Sequence, residues 1–135
     1  MESSESKSSG KVAISDRASQ FQAPMVVSEI ADNCLYSGFF GRLDSARVKS
    51  ITDRLLSSVD KTGIEKIIID LSNIDVIDSL VANHLLRIGT TLQLVGVKAF
   101  FCGISPTVAQ TMVSTGVDVT ALNTHRNLKS AIQAL

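Results

Sequence analysis

One stretch limits what this chain can become more than any other. It runs Lys66-Ile67-Ile68-Ile69-Asp70-Leu71-Ser72-Asn73-Ile74-Asp75-Val76-Ile77-Asp78-Ser79-Leu80-Val81-Ala82-Asn83-His84-Leu85-Leu86. Three consecutive isoleucines without polar alternation predict a strand over Lys66–Leu71 buried on both faces, the habit of a central strand in a parallel sheet. The apolar period then changes. Val81, Leu85, Ile88, Leu92 and Val95 recur at helical spacing, which predicts a helix from about Ser79 to Val95 with Gly96 ending it. Such a strand–helix unit needs further strands and helices to cover its apolar faces.

The rest of the chain supplies them. Pro24 opens the folded part. Met25–Ala31 and Cys34–Phe40 read as two strands joined by the turn signal Asp32-Asn33, an N-terminal hairpin. Asp44 and Ser45 start a helix whose inner face is Val48, Ile51, Leu55 and Val59, with Gly63 near its end. Val97–Cys102 reads as another strand. Ser105 and Pro106 then begin a short helix, Ser105 as cap and Pro106 at its first position, with Val108, Ala109, Met112 and Val113 as its inner face. Gly116 closes that helix, Val117–Leu122 is expected as a short edge strand, and Thr124 is expected to cap a last helix that turns Leu128, Ile132 and Leu135 to one face. The fold class is therefore α/β: a mixed, mainly parallel sheet with an N-terminal β-hairpin and helices packed on it. Residues 24–135 form one domain. Residues 1–23, rich in Ser, Glu, Lys and Gln and without apolar period, read as a flexible tail.

Composition narrows the function. The 135 residues carry 13 Lys plus Arg against 13 Asp plus Glu, a net charge of zero. That argues against a nucleic-acid partner, which usually demands a basic excess, and against attraction to an anionic membrane. No apolar run reaches the roughly 20 residues of a membrane span, and no signal-peptide core is evident, so a cytoplasmic protein is expected. Cys34 and Cys102 lie in predicted strands and are expected as reduced, buried thiols.

Catalytic sets are missing from the sequence. It has no Gly-rich phosphate loop and no Gly-x-Ser-x-Gly elbow, and neither His84 nor His125 has an evident partner. No metal site or cofactor is expected. Asp70, Asp75 and Asp78 resemble an acid–base or cation-binding set. Their spacing is better explained by a strand end at Asp70, a loop turn at Asp75 and a helix cap at Asp78, with Ser72 and Asn73 in the same loop. Ser79 has two readings. It is half of an Asp78-Ser79 capping pair, or it is a phosphoryl acceptor. At a helix N-terminus a phosphate would meet free N–H groups and the positive end of the helix dipole. It would add about −1.5 to −2 charges beside Asp75 and Asp78 and repel a docked partner.

Resemblance separates these readings where spacing does not. Ile67–Ser72 together with Val76-Ile77-Asp78-Ser79-Leu80-Val81-Ala82 resembles the signature of the STAS domain, the fold of anti-sigma-factor antagonists. Phe101–Gln110 and Thr115-Gly116-Val117 resemble its second half. Anti-sigma antagonists usually carry Asp-Ser-Ser-Gly at the phosphosite. Asp78-Ser79 followed by Leu80-Val81-Ala82 instead resembles the stressosome scaffold proteins of the RsbS type, while Asp44-Ser45-Ala46-Arg47 resembles a second site of the RsbR type, with Ser in place of Thr. The resemblance implies a non-catalytic scaffold subunit. It would sequester an RsbT-type switch serine/threonine kinase, assemble into homo- or hetero-oligomers with RsbR-type sensor proteins, and be dephosphorylated by an RsbX-type phosphatase. Ser79 would be the main phosphorylation site and Ser45 a second, with Asp75, Asp78 and Leu80 at the partner-binding loop. The alternatives it leaves are a stand-alone anti-sigma factor antagonist and a truncated R-type paralogue. An enzyme using the three aspartates is the reading from another class.

Overall fold

The computed structural model describes residues 25–60, 63–116, 118–120 and 122–135. The tail expected at residues 1–23 lies outside them. Among the described residues, five strands and four helices alternate after an initial hairpin: β1 (Met25–Ala31), β2 (Cys34–Phe40), α1 (Ser45–Val59), β3 (Lys66–Asn73), α2 (Ser79–Leu94), β4 (Lys98–Cys102), α3 (Pro106–Ser114), β5 (Asn123–His125) and α4 (Leu128–Gln133). The strands form one sheet in the order β1-β2-β3-β4-β5. β1 runs antiparallel to β2, and β2, β3, β4 and β5 are mutually parallel. The predicted α/β class and the hairpin are observed.

The isoleucine run explains the layering. In a strand, alternate residues face opposite sides, so Ile67, Ile69 and Leu71 join the large core under α1, α2 and α3 while Ile68 joins a smaller one on the other face. The larger core also takes Val48, Ile51, Leu55 and Val59 of α1 and Val81, Leu85, Ile88 and Leu92 of α2. The smaller core holds Ile68, Phe100, Cys102 and Ala131, so among the described residues α4 covers that face, over β3–β5. The hairpin is fastened to β3 through its turn. Asn33 takes a left-handed φ of 60°, and its carbonyl accepts from the N–H groups of Glu65 and Lys66 at 2.8 and 3.1 Å.

Several expectations need correction. β3 runs on through Ser72 and Asn73, which were expected in the loop, because β2 continues to pair with it as far as Phe40 opposite Asn73. Asp70 is therefore not a strand end. It sits within β3, between Gly38 of β2 and Cys102 of β4. Val95 is the C-cap of α2 and is exposed, so the apolar stripe ends at Leu92. Val113 of α3 points to solvent, leaving Val108 and Met112 as the buried pair. The last strand is Asn123–His125 rather than Val117–Leu122, and Val117 and Ala121 fall outside the described residues. Thr124 is consequently a strand residue, and Asn127 caps α4 by accepting from the Ser130 N–H at 2.9 Å. Ala131 rather than Ile132 is the buried residue of that helix.

Candidate functional site

Parallel strands followed by helices bring four helix N-termini to one end of the sheet, that of α4 on one face and three on the other. Each of these three begins in the turn after a strand: α1 after β2, α2 after β3 and α3 after β4. The N–H groups of a helix's first turn lack intrahelical acceptors and need capping. Asp44, Asp78 and Ser105 provide it, accepting from the N–H groups of Arg47 at 2.9 Å, Val81 at 2.8 Å and Val108 at 3.2 Å.

The capping pair expected at Asp78-Ser79 thus resolves into two different roles. Asp78 is the N-cap, with extended φ and ψ of −90° and 175°. Ser79 is the first helical residue and is exposed. Among the described residues its hydroxyl has no hydrogen-bond partner. The Asp44-Ser45 pair repeats the arrangement: Asp44 is the extended N-cap and Ser45 the first residue of α1, half-buried. α3 departs from it, since its serine is the cap itself and Pro106 fills the first position. Two of the three helix starts therefore present a serine hydroxyl that capping does not use.

The electrostatics of the two caps differ. The Arg47 N–H, with the guanidinium of the same residue in an ion pair, holds the Asp44 carboxyl below its ordinary range. The Asp78 carboxyl accepts from the Val81 N–H, and Asp78 lies in a loop with Asp75, which is exposed. Apolar side chains flank Ser79: Leu80 is 54% exposed and Val76 is 70% exposed. Leu80 belongs to the loop expected to meet a partner. Val76 entered the sequence reading only as part of the STAS signature; its exposure is what marks it.

Asp70 has a separate role. Its carboxyl accepts from the Tyr36 hydroxyl at 2.8 Å, from the Ser72 hydroxyl at 2.7 Å and from the Ser72 N–H at 3.0 Å. The aromatic ring reaches it across Gly38, where a Cβ would lie 2.7 Å from the Tyr36 hydroxyl oxygen. Burial, and then the hydrogen bond to Asp70, pushes the Tyr36 phenol up to about 12. Burial, followed by the charge of Asp70, pushes the Cys102 thiol up to about 12 as well, and burial raises Cys34. Both thiols are free and buried, so neither has the thiolate character that reactivity requires. Asp70 is spent on ties within the sheet, and among the described residues no cluster of three His, Cys, Asp or Glu side chains takes a metal-binding arrangement.

A cleft of about 570 Å³ lies elsewhere, between α2 and the edge of β4, and is lined by residues such as Asn83, Arg87, Gln93 and Asn123. Ser79 and Ser45 are not in it. An exposed hydroxyl such as that of Ser79, away from this cleft, suits modification by another protein better than binding of a small substrate.

The STAS domain family matches residues 25–131. This chain belongs to that family. In sequence it is 32% identical over 114 residues to the RsbT co-antagonist protein RsbRA of Bacillus subtilis, an alignment that takes in 84% of this chain and 41% of that protein. The chain thus spans about two fifths of that relative. In fold it matches RsbS of Moorella thermoacetica with a TM-score of 0.71 at 24% identity, over 82% of this chain and 92% of that one. It also matches a chain from the molecular architecture of the stressosome, a signal integration and transduction hub, with a TM-score of 0.70 at 25% identity, over 82% of this chain and 94% of that one. Among the described residues no helix is long and apolar enough to cross a membrane.

Proposed function

We propose that this STAS protein is a non-catalytic stressosome subunit that holds an RsbT-type switch kinase and is switched by phosphorylation of Ser79. The observation that carries this reading is the division of labour at the start of α2. Asp78 caps the helix, and the Ser79 hydroxyl beside it is exposed and unpartnered among the described residues. The N–H groups of the first turn can receive a phosphate there without loss of the cap. Val76 and Leu80 supply an apolar rim for a docked partner. A phosphoryl group between them would add about −1.5 to −2 charges beside Asp75 and Asp78 and break that contact. Ser45, in the same position of α1, is the second acceptor. RsbR-type sensors are the co-assembling partners, an RsbX-type phosphatase resets the switch, and the particle is cytoplasmic.

Similarity in sequence to an R-type co-antagonist, together with the second Asp-Ser pair, brings the chain nearer to the R type than its Ser79 alone suggests. Binding tests the switch. A pull-down of the kinase with wild type, Leu80→Glu and Ser79→Asp should show retention by wild type and loss of about tenfold or more for either variant, the effect of placing a charge in a docking contact. Equal retention by all three would refute the docking surface.

A further inference from the structure

Helices α1 and α2 start alike and diverge one turn later. In each, an aspartate is the cap and a serine takes the first helical position: Asp44 and Ser45 in α1, Asp78 and Ser79 in α2. Side chains four residues apart on a helix are surface neighbours, about 5–6 Å apart at Cβ. One turn on from Ser45 stands Lys49, which is exposed. One turn on from Ser79 stands Asn83, which is half-buried and neutral.

Lys49 is available to a new partner. Among the described residues it enters no hydrogen bond or ion pair, although Asp53 follows it by a further turn. A cation N-terminal to an acid is the weaker order for such a pair, and an acid N-terminal to the cation is the stronger one. A phosphate on Ser45 would stand in the stronger order. The other cations near Ser45 are placed differently. The Arg47 guanidinium is in its ion pair with Asp44, and residues two apart on a helix do not face each other. Arg42 precedes the cap, outside the helix. In α2 the first lysine or arginine is Arg87, two turns on from Ser79, while the charged neighbours in the preceding loop, Asp75 and Asp78, are both acidic.

We infer that Lys49 is a phosphate-holding residue: when Ser45 is phosphorylated, the Lys49 ammonium pairs with the phosphoryl group, whereas a phosphate on Ser79 stays without a cation. The inference rests on the phosphorylation reading above and adds an inequality to it. At Ser45 a positive charge offsets part of the about −1.5 to −2 that phosphorylation brings. At Ser79 the whole of that charge joins Asp75 and Asp78, which is what repulsion of a docked partner requires.

Full-length chains translated with phosphoserine at position 45 or at position 79 test the pairing without a kinase. Phosphorus NMR reads the second ionisation of the phosphate, which lies near pH 6 when unperturbed. In the chain phosphorylated at Ser45, Lys49→Gln should raise that value by about 0.3 pH units, the modest effect of losing an exposed opposite charge. Lys49→Arg should hold it at the wild-type value, and salt near 1 M, which screens beyond about 3 Å, should shrink the difference. In the chain phosphorylated at Ser79, Lys49→Gln should change nothing, and Asn83→Lys should lower the value by about as much as Lys49→Gln raises it at the other site. A Ser45 phosphate indifferent to Lys49→Gln, or equal movement of both phosphates, would overturn the inference. Failure of Lys49→Arg to preserve the wild-type value would do the same. Whether a kinase modifies Ser45 at all is read separately, by site mapping, so the pairing and the phosphorylation reading stand or fall on different measurements.

Discussion

At the residue scale, a single choice separates structure from switching: which of two adjacent polar residues caps α2. Asp78 does, through the Val81 N–H, so Asp78→Ala should lower stability by about 1 kcal/mol in denaturant unfolding. Ser79→Ala should stay within about 0.5 kcal/mol of wild type, the ordinary range for an exposed substitution. Tyr36 behaves differently from both. Tyr36→Phe removes a donor from the buried Asp70 carboxyl and should cost about 1–3 kcal/mol. It should also change the alkaline limb. The phenol's pKa rises on folding from 10.0 to about 12, so the unfolded chain loses that proton first. The stability this contributes is complete below pH 10 and declines as the pH rises toward about 12. Tyr36→Phe should lack that component of the decline. An identical alkaline profile in the two proteins would show that Tyr36 does not titrate as described.

At the element scale, the β3–α2 unit depends on a close approach by the turn after β4. Gly103 has a φ of 70°, and a Cβ there would lie 2.9 Å from both the Ser72 backbone nitrogen and an Asp70 oxygen. Gly103→Ala should therefore destabilise by about 2 kcal/mol or more, since the left-handed conformation alone costs roughly 1–2 kcal/mol. Wild-type stability in thermal unfolding would rule out that packing. The elements legible in the sequence were those with strong local periods: the isoleucine strand, the faces of α1 and α2, the hairpin signal at Asp32-Asn33 and the Ser105-Pro106 helix start. The missed ones are set by contacts distant in sequence. β5 is a polar Asn-Thr-His segment whose strand character comes from pairing with Phe100, Phe101 and Cys102 of β4. Asp70 looked like a strand end because a carboxyl inside a central strand is costly unless partnered, and its partner Tyr36 stands 34 residues earlier. Ser79 was visible as a candidate, but its freedom from capping duty depends on backbone geometry that no spacing rule supplies.

At the scale of the whole molecule, the domain turns four helix starts to one end of the sheet, those of α1, α2 and α3 on one face, and leaves a long strand edge on its flank. On the proposed reading, the first is where a kinase docks and acts, and assembly uses other surfaces. Mixing the protein with an RsbR-type partner should then yield a particle far larger than either component in light scattering, and Ser79→Ala should assemble equally well. Failure of the two proteins to co-elute would count against the stressosome role while leaving the family assignment intact. The most direct test of the switch is site mapping by mass spectrometry after incubation with an RsbT-type kinase and Mg-ATP. The account predicts phosphate on Ser79 as the dominant product, a lesser product on Ser45, and loss of most incorporation in Ser79→Ala with the fold unchanged. Incorporation into Ser79→Ala equal to that of wild type, or a dominant site away from the starts of α1 and α2, would contradict it.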